Sequence, residues 1–208
     1  MNESVIKSRG PINETYLNRI KETINKALNE HPRTIAIRAD LRLPDFHDGD
    51  NPAYFVRSDH EVISRFFASF KAQLSHDQKK RRQSGVRVHH NTLRYVWVRE
   101  NNQEHKKHFH ILIFLNKDTY RFIGEYESSK NAIANMIRKA WTSALGLKPG
   151  DSNHLVHFPE NPFYILNKNN TNNFTSTYDS LHYRASYLAK IETKDYSDGF
   201  RCFGCSHR

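Results

Sequence analysis

The sequence predicts an α+β fold with a mainly antiparallel central sheet, and three observations carry that expectation. Segments with helical periodicity and segments with strand alternation are mixed, but not in the strict β-α-β order of a parallel sheet. Two strand-like runs, 91–101 and 108–115, are separated by only six or seven polar residues, which suits a hairpin and so an antiparallel pair. At 208 residues the chain suits one sizeable domain. It contains no internal repeat, and its polar stretches, LPDFHDGDNP (43–52) and NKNNTNNFTSTYD (167–179), read as loops too short to be interdomain linkers. The expected organisation is one domain over 1–208, with a flexible N-terminus (1–12) and a C-terminal tail (195–208).

The elements follow in order. Leu17, Ile20, Ile24 and Leu28 recur at helical spacing behind Asn13, an N-cap residue type, which predicts a helix over 14–30. RTIAIRADLRL (33–43) alternates: Ile35, Ile37, Ala39, Leu41 and Leu43 share one face of a strand, and Arg38, Asp40 and Arg42 share the other. Ser58 and Glu61 have capping-box spacing and precede Ile63, Phe66, Phe67, Phe70 and Leu74, one face of a helix that runs into the basic stretch KKRRQSG (79–85). The two hairpin strands come next. SSKNAIANMIRKAWTSALG (128–146) is a third helix, with Ile133, Ile137, Ala140, Trp141 and Ala144 inward and Gly146 at its C-terminal end. Pro159 and Pro162 break 153–166 into a bulged or edge strand pair. Residues 177–194 read as the last helix.

Composition bears on partners. The net charge is +10 and the pI is about 9.6, which predisposes the chain towards polyanions, nucleic acid above all. No run of 18 apolar residues occurs, so no membrane partner is expected. MNESVIKSRGPINETY lacks the apolar core of a secretory signal, and the two cysteines make no disulfide framework. A cytoplasmic location fits these features. In the tail CFGCSHR, Cys202, Cys205 and His207 offer half a zinc site at most, and the cysteines read as two reduced thiols. Asp45, Asp48 and Asp50 could bind a cation, but a flexible acidic loop is the simpler reading.

His108 and His110 stand at i and i+2 in a strand, so both imidazoles share one face, with Cα atoms ~6.5 Å apart. That separation lets both rings reach one divalent ion. Glu100, at the end of the preceding strand, falls near His108 if the hairpin is tight; Glu104 and His105 in the turn are rivals for the third position. Two nitrogens and one carboxylate leave coordination positions open, as catalysis requires. Thirteen histidines supply about one His-x-His pair by chance, so the pair alone decides nothing; exposed histidines near a turn is the competing account. In HYRASYLAKIE (182–192), Tyr183, Tyr187 and Lys190 fall within about 60° of one another on a helix, opposite Leu181, Ala185 and Leu188. Packed tyrosines with satisfied hydroxyls are the plain reading of that face.

A His-hydrophobic-His strand followed by a Tyr-x-x-Lys helix resembles the HUH endonucleases, the class of rolling-circle initiators, relaxases and related transposases. HFHILIFLN resembles their metal motif, YLAK (187–190) their nucleophile motif, and RTIAIRADLRLP their first strand motif. RADLRLP, YVWVREN, LVHFPENP and RASYLAKIETK are more narrowly similar to prophage-encoded inovirus gene-II-like proteins of the YagK/YfjJ type, over roughly residues 14–208. The resemblance implies a ferredoxin- or RRM-like sheet with packed helices. It implies that Tyr187 attacks a phosphodiester of single-stranded DNA, and that His108 and His110, with Glu100, hold Mg²⁺ or Mn²⁺. Lys190 would lie one turn from the nucleophile, where an ammonium favours phenolate. Tyr183, four residues earlier, has the spacing of a second, alternating nucleophile; packing or base stacking is its other reading.

Cations for the DNA backbone are available at Lys79, Lys80, Arg81, Arg82, Arg87, Arg94, Lys106 and Lys107, and phosphate contacts of this kind carry no base information. No G-x-x-x-x-G-K-[ST] occurs, so an initiator of this kind would borrow a separate helicase. Three functional classes follow: a nicking and ligating enzyme, a non-catalytic DNA-binding regulator on the same scaffold, and a metal-dependent hydrolase that uses water.

Overall fold

The computed structural model describes residues 10–44, 56–101, 107–120, 132–150 and 153–207. Among them are four α-helices and six strands, and the α+β class with an antiparallel sheet is what the chain adopts. The chain forms two compact units, each built from separate stretches: residues 1–40, 89–120 and 159–208 in the first, 41–88 and 121–158 in the second.

In the first unit, α1 (Glu14–Glu30) starts where the N-cap type predicts, with Asn13 Oδ1 accepting from the Tyr16 amide at 3.1 Å. It buries Ile20, Ile24, Ala27 and Leu28. β1 (Arg33–Arg42) belongs to this unit as far as Asp40. β2 (Arg94–Asn101) and β3 (Lys107–Asn116) form the expected antiparallel hairpin, in a register that sets Glu100 opposite His108 and Val98 opposite His110. β1 lies beside β3, and Lys117 N donates to Arg33 O across that pair. β5 (Phe163–Asn167) pairs antiparallel with β1 on its other side. The core packs α1 against Val96 and Val98 of β2 and Leu112 and Phe114 of β3, with Leu181 and Ala185 of α4 (Thr171–Ser186) completing it. Each such large apolar side chain contributes about 1.5–3 kcal/mol by leaving water.

Two expectations are corrected in this unit. The last helix does not run over 177–194. It starts at Thr171, inside the stretch read as a loop, and ends at Ser186; Tyr187–Ala189 is a single 3₁₀ turn and Lys190 is extended. The early start follows from Phe174 and Tyr178, which pack with Leu181 and Ala185 on the core at helical spacing amid the asparagines and threonines. The early stop is tertiary: the Asn13 amide takes the Ala189 carbonyl at 2.8 Å, and Ile191 N donates to Pro11 O, so the N-terminal segment bridges the chain where helical bonds would have continued.

The tail is also more ordered than expected. β6 (Phe203–Cys205) pairs antiparallel with β2, Gly204 facing Trp97. A Cβ on Gly204 would stand 2.5 Å from Trp97 Nε1, so the ring lies flush on the glycine. Gly204→Ala is expected to lose about 1–3 kcal/mol in urea unfolding through overpacking; a variant with the wild-type midpoint would show that the indole moves aside freely. Cys202 and Cys205 are buried free thiols.

Arg99 fastens the turn before β6. Its guanidinium makes a two-pronged pair with Asp198 at 2.6 and 2.7 Å, and Lys107 Nζ adds a third contact at 2.9 Å. Hydrogen bonds from Arg99, then Lys107, hold the Asp198 carboxyl well below the usual carboxylate range. A lowered carboxylate pKa stabilises the fold above the unfolded value, about 3.9, and that stability fades as pH falls below it. Asp198→Asn is therefore expected to lower the urea midpoint at pH 7, with the gap to wild type shrinking below about pH 4. A gap independent of pH would refute this ion-pair account.

In the second unit, α2 (Val62–Gln83) buries Ile63, Phe66, Phe67, Phe70 and Leu74 as expected and packs on α3 (Ala132–Leu145), whose Trp141 lies edge-on to Phe66. No Ser58–Glu61 capping box forms. Glu61 is itself the N-cap residue, without a side-chain cap bond, and Asp59 Oδ1 instead accepts from the Glu61 amide at 2.8 Å. Gly146 ends α3 at φ +73°, which a glycine takes without strain. The two-residue strand β4 (Val156–His157) also falls here, so 153–166 yields two short strands as the prolines suggest. The expected helix residues 128–131, the acidic loop from Asp45 to Asp50 and the N-terminus to residue 9 lie outside the described residues. Among the described residues, no helix is long and apolar enough to cross a membrane.

Candidate metal and tyrosine centre

Alternation along β1, β2 and β3 places Asp40, Glu100, His108 and His110 on the sheet face that packs against α1 and α4. The hairpin register does most of this positioning, because Glu100 and His108 are direct cross-strand partners. His108 Nε2 stands 3.2 Å from His110 Nε2, and His110 Nε2 stands 3.3 Å from Glu100 Oε2. One donor atom from each of the three residues falls within 4.8 Å of the others, the only such His/Cys/Asp/Glu group among the described residues. Donors about 2.1 Å from one ion, at angles of about 90–110°, stand about 3.0–3.4 Å apart, so the spacings fit a shared divalent cation. Glu104 and His105, the rival third ligands, and Lys106 lie outside the described residues.

The groups around this triad complete its electrostatics. Asp40 Oδ1 lies 2.5 Å from His110 Nδ1, which leaves Nε2 to face Glu100 and His108. A carboxylate on the far nitrogen is the usual means of fixing the tautomer and orientation of a metal-binding imidazole. Burial would lower the His110 pKa, but hydrogen bonds to Asp40 and then Glu100 outweigh burial and raise it. Glu100 is 2% exposed. Burial would raise its pKa; His110 and then Lys194 more than offset that and hold it down at about 2. Lys194 Nζ donates to Glu100 Oε1 at 3.1 Å and to the Lys190 carbonyl, and burial draws its own pKa down against the pull of Glu100.

Tyr187 is brought to this centre. Its ring lies 5.9 Å from that of His110, nearly perpendicular to it. Lys190 Nζ is 5.9 Å from the Tyr187 ring centroid, so the pair is adjacent although the helix expected to join them has ended; Lys190 also pairs with Glu192 at 3.1 Å. Arg38 Cζ lies 5.4 Å from the same ring. Tyr183 is half-buried one turn upstream in α4, where Ser186 Oγ donates to its carbonyl. Of the candidate DNA contacts, Lys79, Lys80, Arg81, Arg82 and Arg87 fall in the second unit. Arg94 and Lys107 fall in the first, Arg94 paired with Glu30 at 3.0 Å and Lys107 with Asp198.

Sequence reasoning missed Asp40, Lys194 and Arg38 as members of the centre. Asp40 and Arg38 carried a signal: they alternate with apolar residues on a strand buried on both faces, where a polar side chain needs a partner. Lys194 carried none, since its place depends on the chain leaving the helix at Ser186.

Fold and site together define an α+β protein with a two-histidine, one-carboxylate cluster and a tyrosine beside it. The chain belongs to the YagK/YfjJ C-terminal domain family, whose model matches residues 1–206. It is 42% identical over 194 residues to YfjJ of Escherichia coli K12, covering 92% of this chain and 93% of that protein. It is 38% identical over 192 residues to YagK of the same strain, covering 92% and 91%. No solved structure matches it.

Proposed function

We propose that this protein is a metal-dependent endonuclease that nicks and rejoins single-stranded DNA through Tyr187, acting as a rolling-circle replication initiator of a phage or mobile element in the bacterial cytosol. The observation that carries this reading is the approach of Tyr187 to the His108–His110–Glu100 triad, two features 77 or more residues apart in the chain. His108, His110 and Glu100 would hold Mg²⁺ or Mn²⁺, which polarises a phosphoryl oxygen and offsets transition-state charge when bound. Asp40 keeps the His110 ring oriented. Tyr187 Oη bonds to phosphorus as the P–O3′ bond breaks; the phenol loses its proton and the departing 3′ oxygen gains one. The 5′-phosphotyrosine ester keeps the bond's reactivity, so a later 3′-hydroxyl can displace Tyr187 and reseal the strand. Lys190 sets its ammonium beside the Tyr187 ring, and the basic side chains from Lys79 to Arg87, with Arg94, Lys106 and Lys107, are candidate backbone contacts. A separate helicase would open the duplex.

The test is incubation of the full chain with a randomised single-stranded oligonucleotide library and Mn²⁺, followed by denaturation. A denaturation-resistant protein–DNA adduct, lost with EDTA and in His110→Ala, is the expected result. Cutting without an adduct would replace this reading with water-using hydrolysis, and a band shift seen only under native conditions would replace it with a binding regulator.

A further inference from the structure

Arg38 and Arg184 hold donors that the metal and tyrosine leave unused. Arg38 sits on β1 two residues before Asp40 and is 9% exposed. Its Nε is buried with no hydrogen-bond partner, and Asp40 Oδ1, at 3.7 Å, is beyond hydrogen-bond reach. Arg184, on α4 three residues before Tyr187, repeats the pattern: Nη2 donates to the Glu160 carbonyl at 3.1 Å, while Nε is buried without an acceptor. Arg38 N donates to the Pro162 carbonyl at 2.8 Å, two residues along from the Glu160 carbonyl that holds Arg184, so one short segment ties both arginines. Burial lowers the Arg38 pKa, Asp40 opposes it and Arg184 adds to the lowering, and the group remains a cation. A buried donor without an acceptor carries its full desolvation cost, and native proteins keep few. Two of them sit on like-charged side chains, one of which lies 5.4 Å from the Tyr187 ring, and one anion between them would satisfy both. Guanidinium stays charged when buried, and its planar fork matches phosphate oxygens.

We propose that Arg38 and Arg184 form an oxyanion-binding site beside Tyr187 that takes the non-bridging oxygens of a phosphodiester. The phosphodiester identity rests on the nuclease reading; the anion site does not. Bound there, a phosphate would accept from both orphaned Nε groups and lie against the phenol, so the arginines would place the group that Tyr187 attacks while the histidines act from β3.

The test has two arms, each made with folding checked by circular dichroism. In the first, metal-free full-length protein is titrated with inorganic phosphate by calorimetry. Saturable binding weakened about tenfold or more in both Arg38→Gln and Arg184→Gln is expected. No saturable binding, or equal affinity in wild type and both variants, overturns the proposal. If Arg38→Gln does not fold, Arg38→Lys keeps the charge and deletes the Nε donor, and the same loss is expected. In the second, adduct formation is followed with the selected oligonucleotide. A slowed rate in both variants supports the site. Wild-type rates in both sink it while leaving the nuclease intact. Phosphate binding through the arginines with no adduct in any protein leaves the anion site standing and removes the nuclease.

Discussion

Tyr187→Phe is expected to abolish the covalent protein–DNA adduct, a loss on the order of 10³-fold or more in strand cleavage, while folding and metal binding stay as in wild type. The substitution removes one oxygen and keeps the ring, so the aromatic contact with His110 and the stacking of Arg38 over Tyr187 persist. Only the nucleophile goes. Adduct yield on a denaturing gel, beside a Mn²⁺ titration of the same preparation, separates chemistry from binding. Tyr183→Phe is the companion. Under alternating nucleophiles it would cleave but fail to complete strand transfer; with a single nucleophile it does both at wild-type rates. An undiminished adduct in Tyr187→Phe would move the attacking group elsewhere and remove the main support for the proposed mechanism.

The part of this centre legible in the sequence is the part that local periodicity encodes. Strand alternation set His108 and His110 on one face, and the short hairpin brought Glu100 opposite His108, so three positions followed from period two and one turn. The contacts that tune them are long-range. Asp40 reaches His110 across 70 residues and Lys194 reaches Glu100 across 94, and no local pattern records such distances. The helix that leads into Tyr187 shows the same division. Its apolar face, Leu181 and Ala185, was readable, but its end was not, because the helix stops where the segment around Pro11 and Asn13 captures backbone groups that the helix would have used. Its start was concealed for a different reason: Phe174 and Tyr178 keep the helical spacing, but asparagine and threonine dominate the composition around them. β6 is three residues long, too short for alternation to mark, and is fixed by the fit of Gly204 on Trp97.

Lys194→Met is expected to destabilise the protein by about 3–5 kcal/mol, the usual consequence of leaving one partner of a buried ion pair uncompensated. Both side chains of the pair are sealed, at 0% and 1% exposure, so no solvent replaces the lost ammonium. Methionine fills much of the lysine volume, which limits the effect to the lost charge and the lost bond to the Lys190 carbonyl. Glu100 would keep His110, the larger of its two stabilising partners, but lose the second cation that helps hold the carboxylate at about 2. The pH dependence follows from that lowering. Stability linked to Glu100 is present above the unfolded carboxylate value, about 4.3, and fades as pH falls towards 2. Without Lys194 the folded value rises, so less of that stability exists at pH 7 and the two proteins converge in acid. Urea unfolding at pH 7 and at pH 3 measures both effects, and the double variant Lys194→Met/Glu100→Gln should recover most of the loss by removing the stranded charge. A single-variant loss under about 1 kcal/mol would show that His110 suffices alone. A divalent ion bound by Glu100 replaces the missing positive charge, so Mn²⁺ should raise the midpoint of Lys194→Met more than that of wild type. That difference tests whether the lysine occupies the carboxylate in competition with a metal or only holds it in place.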